Sequence, residues 1–206
     1  MLISFLIDEI MRKILNDKPV DVVRLDALVR SNNIAIREEH RKFIINFGNC
    51  NKLLSNGFSD FTLSNFEDYY LDTNLFDADK VPDHTTFLGS DFADELLCID
   101  DITGEIYTYY CKEKDLYYYK DINSLLFYCL LQSEYKHNFF RNINYDIKIN
   151  NIELFSRGKN KHRVDKIYIR YQSYYFIENK LYETDANGST INVYEGGVLD
   201  YYQKSI

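Results

Sequence analysis

The chain lacks any apolar run of the roughly 20 residues that a membrane-spanning helix requires. Its apolar N-terminal segment, 2–7, is too short for the hydrophobic core of a signal peptide. That segment also follows no basic residue and runs directly into Asp8 and Glu9. These absences argue against a membrane protein and predict a cytoplasmic protein with no membrane partner.

Signatures of metal and nucleotide sites are also missing. The histidines form no HExxH motif, and the cysteines have no CxxC spacing and have apolar or aromatic neighbours, so we expect buried thiols. The stretch 158–161 lacks the spacing of a phosphate-binding loop, and Asp77 replaces the glycine that a calcium loop beginning at Asp72 needs. We therefore predict no catalytic residue, no metal ligand and no cofactor. The four cysteines are Cys50, Cys98, Cys111 and Cys129.

Tryptophan is absent, whereas tyrosine and phenylalanine occur 19 and 14 times. The accompanying abundance of asparagine, isoleucine and lysine is what an AT-rich genome encodes, so we assign it to mutational bias. Cations are in the minority, since 24 Lys and Arg stand against 32 Asp and Glu, a formal net charge of −8. Binding to nucleic acid or an anionic membrane needs a surplus of cations. The charge therefore predicts a basic protein partner and no nucleic acid.

The chain does contain several segments with the apolar spacing of helices. Helical spacing covers 5–14, 22–29, 36–47 and 122–129. Asp21 and Asp121 occupy N-cap positions of two of these helices, and Gly48 is expected to end the third in the left-handed conformation. In addition, 64–67 has the pattern of a capping box and predicts a short helix that ends near Leu71. An acidic loop follows it, over 72–83.

Strand patterns dominate the rest of the chain. Two apolar runs, 96–99 and 106–110, flank a turn over 100–104 and predict two central antiparallel strands. Further strands are expected at 58–63, 116–119 and 174–177, with alternation at 167–171 and an Asn-Gly hairpin at 187–188. Together these patterns predict an α+β fold, with one domain over 1–133 and a β-meander extension over 134–206 that packs on the same domain.

Four segments in this order resemble the SUKH superfamily, which includes a fungal cell-wall assembly regulator and many bacterial immunity proteins. They are REEHRKFIINFGN, SNFEDYYLDTN, FLGSDFADELLCIDDITGEIYTYY and DINSLLFYCLL, which lie within residues 20–131. Two departures are Ile36-Arg37, where Leu-Pro is usual, and Gly48-Asn49-Cys50, where Asn-Gly-Gly is usual. The resemblance implies a twisted antiparallel sheet backed by helices. It also implies a protein that binds and neutralises a cognate toxin, often a nuclease.

Acidic residues near the central hairpin are the candidate binding site. We expect them to form a negative surface that meets a basic toxin, although acids also collect at loop rims and helix starts merely for solubility. Four tyrosines near them, Tyr69, Tyr70, Tyr107 and Tyr109, are candidate anchors. The eight acids are Asp77, Asp79, Asp83, Asp91, Asp94, Glu95, Asp100 and Asp101.

Alternative functions remain open at this point. One is a regulatory scaffold of the same fold that binds a host protein. Another is a metal-dependent nuclease of the PD-(D/E)xK type, in which Asp165 and Glu178 hold Mg²⁺ and Lys180 positions water. The basic stretch 157–166 and the tyrosines over 168–175 suggest nucleic-acid contact, but the net charge favours an exposed connection and ordinary sheet aromatics.

Overall fold

The structure is a computed structural model that describes residues 2–14, 19–56, 59–91, 93, 95–164, 167–185 and 189–202. These residues form helices and two antiparallel sheets, which confirms the predicted α+β class. The helices are α1 Leu2–Ile14, α2 Val22–Ser31, α3 Glu38–Phe47, α4 Asn51–Leu54, α5 Leu63–Leu71, α6 Ile122–Gln132, α7 Lys136–Phe139, α8 Ile152–Lys159 and α9 Val198–Tyr202. The strands are β1 Ser55–Asn56, β2 Ser59–Asp60, β3 Thr85–Ser90, β4 Leu96–Asp100, β5 Ile106–Tyr110, β6 Glu113–Tyr119, β7 Asn142–Lys148, β8 Gln172–Ile177, β9 Lys180–Asp185 and β10 Thr190–Glu195.

The first sheet has the strand order β1-β2-β3-β4-β5-β6 and contains the predicted central hairpin, since β4 pairs with β5. Strand β3 is buried along its whole length and has no counterpart in the sequence prediction. Helix α5 covers it, and the ring of Tyr69 stacks on Phe87 at a centroid distance of 4.0 Å. The predicted strand at 58–63 is mostly wrong, because Ser59 and Asp60 alone pair among its described residues, 59–63, and Leu63 already begins α5.

The second sheet has the order β7-β10-β9-β8 and lies entirely in the C-terminal part of the chain. Strands β9 and β10 pair as the hairpin prediction requires, while the Asn-Gly turn at 187–188 lies outside the described residues. The predicted strand at 167–171 is not formed. Within it, Ile169 makes isolated bridges to Tyr119 of β6 and Gln172 of β8. This residue therefore connects the edges of the two sheets.

Helix α6 occupies the centre of the molecule. Nine of its eleven residues are buried, and α1, α3 and α4 pack around it. Its ring contacts reach both sheets: Tyr128 meets Tyr119 of β6, and Phe127 meets Tyr174 of β8 edge-on at 5.0 Å. One hydrophobic cluster accordingly includes residues from both parts of the chain. Within the described ranges, no helix combines the length and hydropathy needed to cross a bilayer.

Two predicted helix ends differ from the structure. Gly48 is right-handed, with φ −57°, and is needed instead for close packing, because a Cβ there would lie 2.6 Å from the Ile44 carbonyl oxygen. Helix α5 is capped by Thr62, whose hydroxyl accepts a hydrogen bond from the Asn65 N–H, and not by the predicted capping box. Glu67 of that box instead forms a two-point ion pair with Arg24 of α2.

Strand β7 is a long edge strand that the sequence prediction missed. Nearly all of its side chains are exposed, although Ile143, Tyr145 and Ile147 alternate with polar residues along it. Its pairing with β10 is interrupted by a bulge at Asp146, which has φ 53°. Bulges of this kind are one way in which proteins protect sheet edges.

Gly197, between β10 and α9, provides a test of the packing. It has φ 63°, and a Cβ at this position would lie 2.2 Å from the carbonyl oxygen of Phe139. We expect Gly197→Ala to lower the free energy of unfolding by about 3 kcal/mol, from backbone strain and overpacking. Gly158 in α8 is the control, because a Cβ added there would point into open space and alanine should stabilise that helix by about 0.5 kcal/mol. Equal effects of the two variants in urea unfolding would contradict this assignment.

His40 of α3 provides a second test, based on pH. Its ring is fully buried edge-on to Phe66, neither nitrogen has a hydrogen-bond partner among the described residues, and burial lowers its pKa to about 3 from 6.5. Below pH 6.5 the unfolded chain binds a proton that the folded chain does not, so stability falls by about 1.4 kcal/mol per pH unit. We expect the His40→Leu variant to lack this contribution to the pH dependence of the free energy of unfolding between about pH 6 and about pH 4, as measured by urea unfolding. If the free energies of unfolding of the wild type and of His40→Leu changed in parallel with pH, this role of His40 would be refuted.

Candidate docking site

Three chain segments meet at one border of the first sheet and form what we call the acidic rim, residues 72–84, 100–105 and 110–112. The Ala78 carbonyl accepts a hydrogen bond from the Cys111 N–H, and the His84 carbonyl accepts one from the Asp101 N–H, both at 2.9 Å. The rim contains seven carboxylates and two lysines. It is therefore a continuous surface with a strong excess of negative charge.

Three large apolar side chains project from the acidic rim. Phe76 is 76% exposed, Ile102 is 79% exposed and Tyr110 is 66% exposed. Each belongs to a different segment of the rim. Exposed aromatic and aliphatic side chains on a supported backbone are typical anchors of protein interfaces.

The turn that carries Ile102 is fixed from several sides. The guanidinium of Arg37, just before α3, donates to the carbonyl oxygens of Asp101 at 2.7 Å and of Ile102 at 2.8 Å. The Thr86 hydroxyl contacts the Asp101 carboxylate at 3.0 Å and donates to the Ala35 carbonyl at 2.8 Å. The turn is thus attached to the connection between α2 and α3, which holds the backbone that carries Ile102 in place.

Asp91, one of the predicted binding acids, is fully buried. Its carboxylate accepts hydrogen bonds from the Ala93 N–H at 2.8 Å and the Glu95 N–H at 3.0 Å, and also from the Tyr118 hydroxyl. The carboxylate therefore shapes the connection between β3 and β4. It is not accessible to a partner.

Asp100 is also buried and has an internal role. One carboxylate oxygen accepts hydrogen bonds from the N–H groups of Ile102 at 2.8 Å and Thr103 at 2.6 Å, and the other binds Lys114. Burial acts to raise the pKa of Asp100, but the Lys114 ion pair and the two backbone donors outweigh it and hold the pKa well below its ordinary value. Asp100 therefore organises the Ile102 turn as an anion at neutral pH.

The other six predicted acids differ in their availability. Asp83 is exposed and Asp79 half-buried, and neither carboxylate has an ion pair among the described residues. Asp77 is exposed but bound to Lys80 and Lys112, and the Lys80 hydrogen bond is the main cause of its lowered pKa. The Asp101 carboxylate contacts the Thr86 hydroxyl, and a Glu95 carboxylate oxygen lies 3.5 Å from a guanidinium nitrogen of Arg170. Asp94 lies outside the described residues.

The four candidate tyrosine anchors serve mainly to hold the rim in place. The hydroxyls of Tyr69 and Tyr109 both donate to the Asp79 carbonyl, at 3.1 and 3.2 Å, and Tyr109 is buried. The Tyr70 hydroxyl accepts a hydrogen bond from the Phe87 N–H at 3.0 Å. Tyr107 is half-buried, and burial together with a hydrogen bond to Glu105 raises its pKa to about 12.

The three exposed apolar side chains are not predicted from the sequence, and one cysteine differs from its expected burial. Three cysteines are buried as expected, but Cys111 is exposed in the turn between β5 and β6, where both Cys111 and Lys112 have left-handed φ angles. A usable signal was present for Ile102, because an isoleucine between Asp101 and Thr103 in a turn has no core to enter.

The residues proposed for a metal nuclease are not arranged on one strand. Glu178 and Asn179 form the turn between β8 and β9, both with positive φ, and Lys180 is ion-paired with Glu195 at 2.9 Å. Glu178 and Lys180 therefore do not present their side chains from one strand. Asp165 lies outside the described residues, and no cluster of three or more metal-binding side chains occurs within those that are described.

The acids of the rim should separate into structural and surface groups on mutation. We expect Asp100→Ala to lower the free energy of unfolding by about 2 to 3 kcal/mol, because two backbone donors and Lys114 lose their acceptor. Asp83→Ala should change it by less than about 0.5 kcal/mol. Chemical denaturation measures both, and a comparable loss from the two variants would disprove the distinction.

Comparison of the chain with protein-family models, curated proteins and solved structures gave no match. The resemblance to the SUKH superfamily therefore stays a prediction from the sequence. The α+β fold and the geometry of the acidic rim are properties of this structure itself. Any function assigned to the rim has to be argued from its chemistry.

Proposed function

We propose that this chain is a non-enzymatic protein that acts in the cytoplasm by docking a basic protein partner on the acidic rim. More specifically, we propose an immunity protein that neutralises a toxin by covering its active site. The supporting observation is that the acidic rim combines three exposed apolar side chains with an excess of carboxylates on a backbone held by hydrogen bonds. These side chains are Phe76, Ile102 and Tyr110.

The charge of the rim favours a cationic partner. Asp79 and Asp83 have no lysine or arginine bound to them in the described part of the chain, so no ion pair there neutralises their charge. Opposite charges accelerate the encounter of two proteins, and like charges exclude wrong partners. A nuclease toxin has a basic active site because it holds phosphates. An acidic inhibitor therefore complements such a site.

The apolar side chains would supply most of the affinity. A few buried aromatic or aliphatic residues at the centre of an interface usually contribute more than the charges around them. Arg37, Asp100 and the two tyrosine hydroxyls on Asp79 fix the backbone beneath these side chains before a partner arrives. Such preorganisation reduces the entropy lost on binding.

A protection experiment tests the proposal. The chain is used to capture its partner from the cell of origin, and the captured protein is then expressed alone and together with the chain in a test host. We expect the captured protein to be basic and to arrest growth when expressed alone. Co-expression of the wild-type chain should restore growth. Capture of a non-toxic protein, or no protection, would refute the immunity function.

Matched variants then locate the surface. Ile102→Arg places a cation in the acidic rim, and we expect it to weaken partner binding by at least about tenfold, as for a central interface residue. Leu154→Arg is the control, because Leu154 is 71% exposed on α8, outside the rim. Calorimetric titration of both variants with the partner measures the change. Equal affinities for Ile102→Arg and Leu154→Arg would show that the partner binds elsewhere.

A further inference from the structure

A groove of about 540 Å³ lies between α8 and the second sheet, away from the residues of the acidic rim. Two arginines, Arg157 and Arg163, line it together with the hydroxyl or amide side chains of Ser156, Asn160, Ser173 and Thr184. Glu153 is the only carboxylate among the described lining residues. The groove is therefore rich in hydrogen-bond donors and carries positive charge in a chain whose net charge is −8.

Arg163 has a fixed backbone and a largely unused guanidinium. Its main chain bridges to Tyr175 of β8, and the next residue, Val164, donates to the Tyr174 carbonyl at 2.8 Å. The guanidinium has one long hydrogen bond, 3.5 Å to the Ser173 hydroxyl, and no carboxylate of the described residues lies within 4.0 Å of it. Most of its five N–H donors are thus available to a ligand.

Arg157 is only weakly engaged. Its one ion pair, with Glu153 one turn earlier on α8, has an N–O distance of 3.7 Å, and both side chains are exposed. Exposed pairs of this type contribute little to stability, so an anion can displace Glu153 easily. Both arginines line the same groove, and no carboxylate of the described residues holds either guanidinium strongly.

The charge around the groove is segregated. Residues 157–163 contain two arginines, two lysines and a histidine but no acid. Arg163 also lines a second cleft of about 500 Å³, together with Lys120 and His162. The acid in that cleft, Asp121, is engaged as the N-cap of α6, where it accepts hydrogen bonds from the Ser124 N–H and hydroxyl. The region therefore attracts anions although the protein as a whole repels them.

From this arrangement we propose that the groove binds a phosphate monoester of nucleotide size. Planar guanidiniums bind phosphate oxygens in pairs of parallel hydrogen bonds, and hydroxyl and amide groups complete the shell. A volume of about 540 Å³ exceeds what inorganic phosphate fills and leaves room for an attached sugar and base, with Tyr175 among the lining residues. The phosphate can belong to a free nucleotide or to the 5′ end of a nucleic-acid strand.

Isothermal titration of the whole chain tests the site with AMP and with adenosine, which lacks the phosphate. We expect AMP to bind and adenosine not to bind. Arg163→Gln and Arg157→Gln should each weaken AMP binding by about tenfold or more, since each removes a charged donor pair. Arg30→Gln, which removes the same charge from α2, should leave AMP affinity unchanged. Unchanged thermal midpoints of the variants confirm that they remain folded.

The source of the phosphate is resolved by two short oligonucleotides, one with a 5′-phosphate and one with a 5′-hydroxyl. Preference for the phosphorylated strand over AMP identifies a strand end, and the reverse preference identifies a free nucleotide. Equal binding of AMP and adenosine, absence of AMP binding, measurable binding of both oligonucleotides with the same affinity, or an Arg30→Gln effect as large as that of Arg163→Gln would overturn the proposal. The test does not involve the acidic rim, so its result is independent of the immunity function.

Discussion

The burial of α6 on every side is the constraint on which the rest of the structure depends. A helix without a solvent-facing side needs cover from several directions, and each fully buried leucine or phenylalanine contributes about 1.5 to 3 kcal/mol only while that cover is complete. Helices α1, α3 and α4 provide part of it, and the first sheet provides another part through Tyr119. The second sheet supplies the remainder, since Tyr174 packs on Phe127. The C-terminal part of the chain therefore completes the core of the N-terminal part.

Elements with a buried face could be predicted from the sequence. Helix α1 shows the periodicity that one-sided burial imposes, whereas helix α6, with its Asp121 cap, and the β4–β5 hairpin show the apolar runs that burial on several sides requires. Strand β7 and helix α8 are not predicted, although β7 alternates polar and apolar residues, because the asparagines in and around both elements favour a loop. Gly48 was misassigned because glycine serves both left-handed caps and close packing, and only the neighbouring atoms distinguish the two.

The candidate site was predictable as a region but not residue by residue. The sequence locates the acids near the central hairpin, and the structure assembles several of them into a continuous rim. Sequence alone cannot tell a carboxylate that binds backbone N–H groups, such as Asp91 or Asp100, from one that faces solvent, such as Asp83. The difference depends on which donors the fold brings near each side chain. The same holds for Ile102, whose exposure follows from the way Arg37 fixes its turn.

The kinked edge strand β7 affects how this molecule can associate with others. A straight strand of seven residues offers evenly spaced donors and acceptors, on which any extended peptide can align and start a fibril. The left-handed Asp146 breaks that spacing in the middle of β7, so a foreign strand cannot stay in register across it. Recognition is thereby shifted from the main chain to side chains, which differ between proteins. Such a molecule can remain selective when it is abundant.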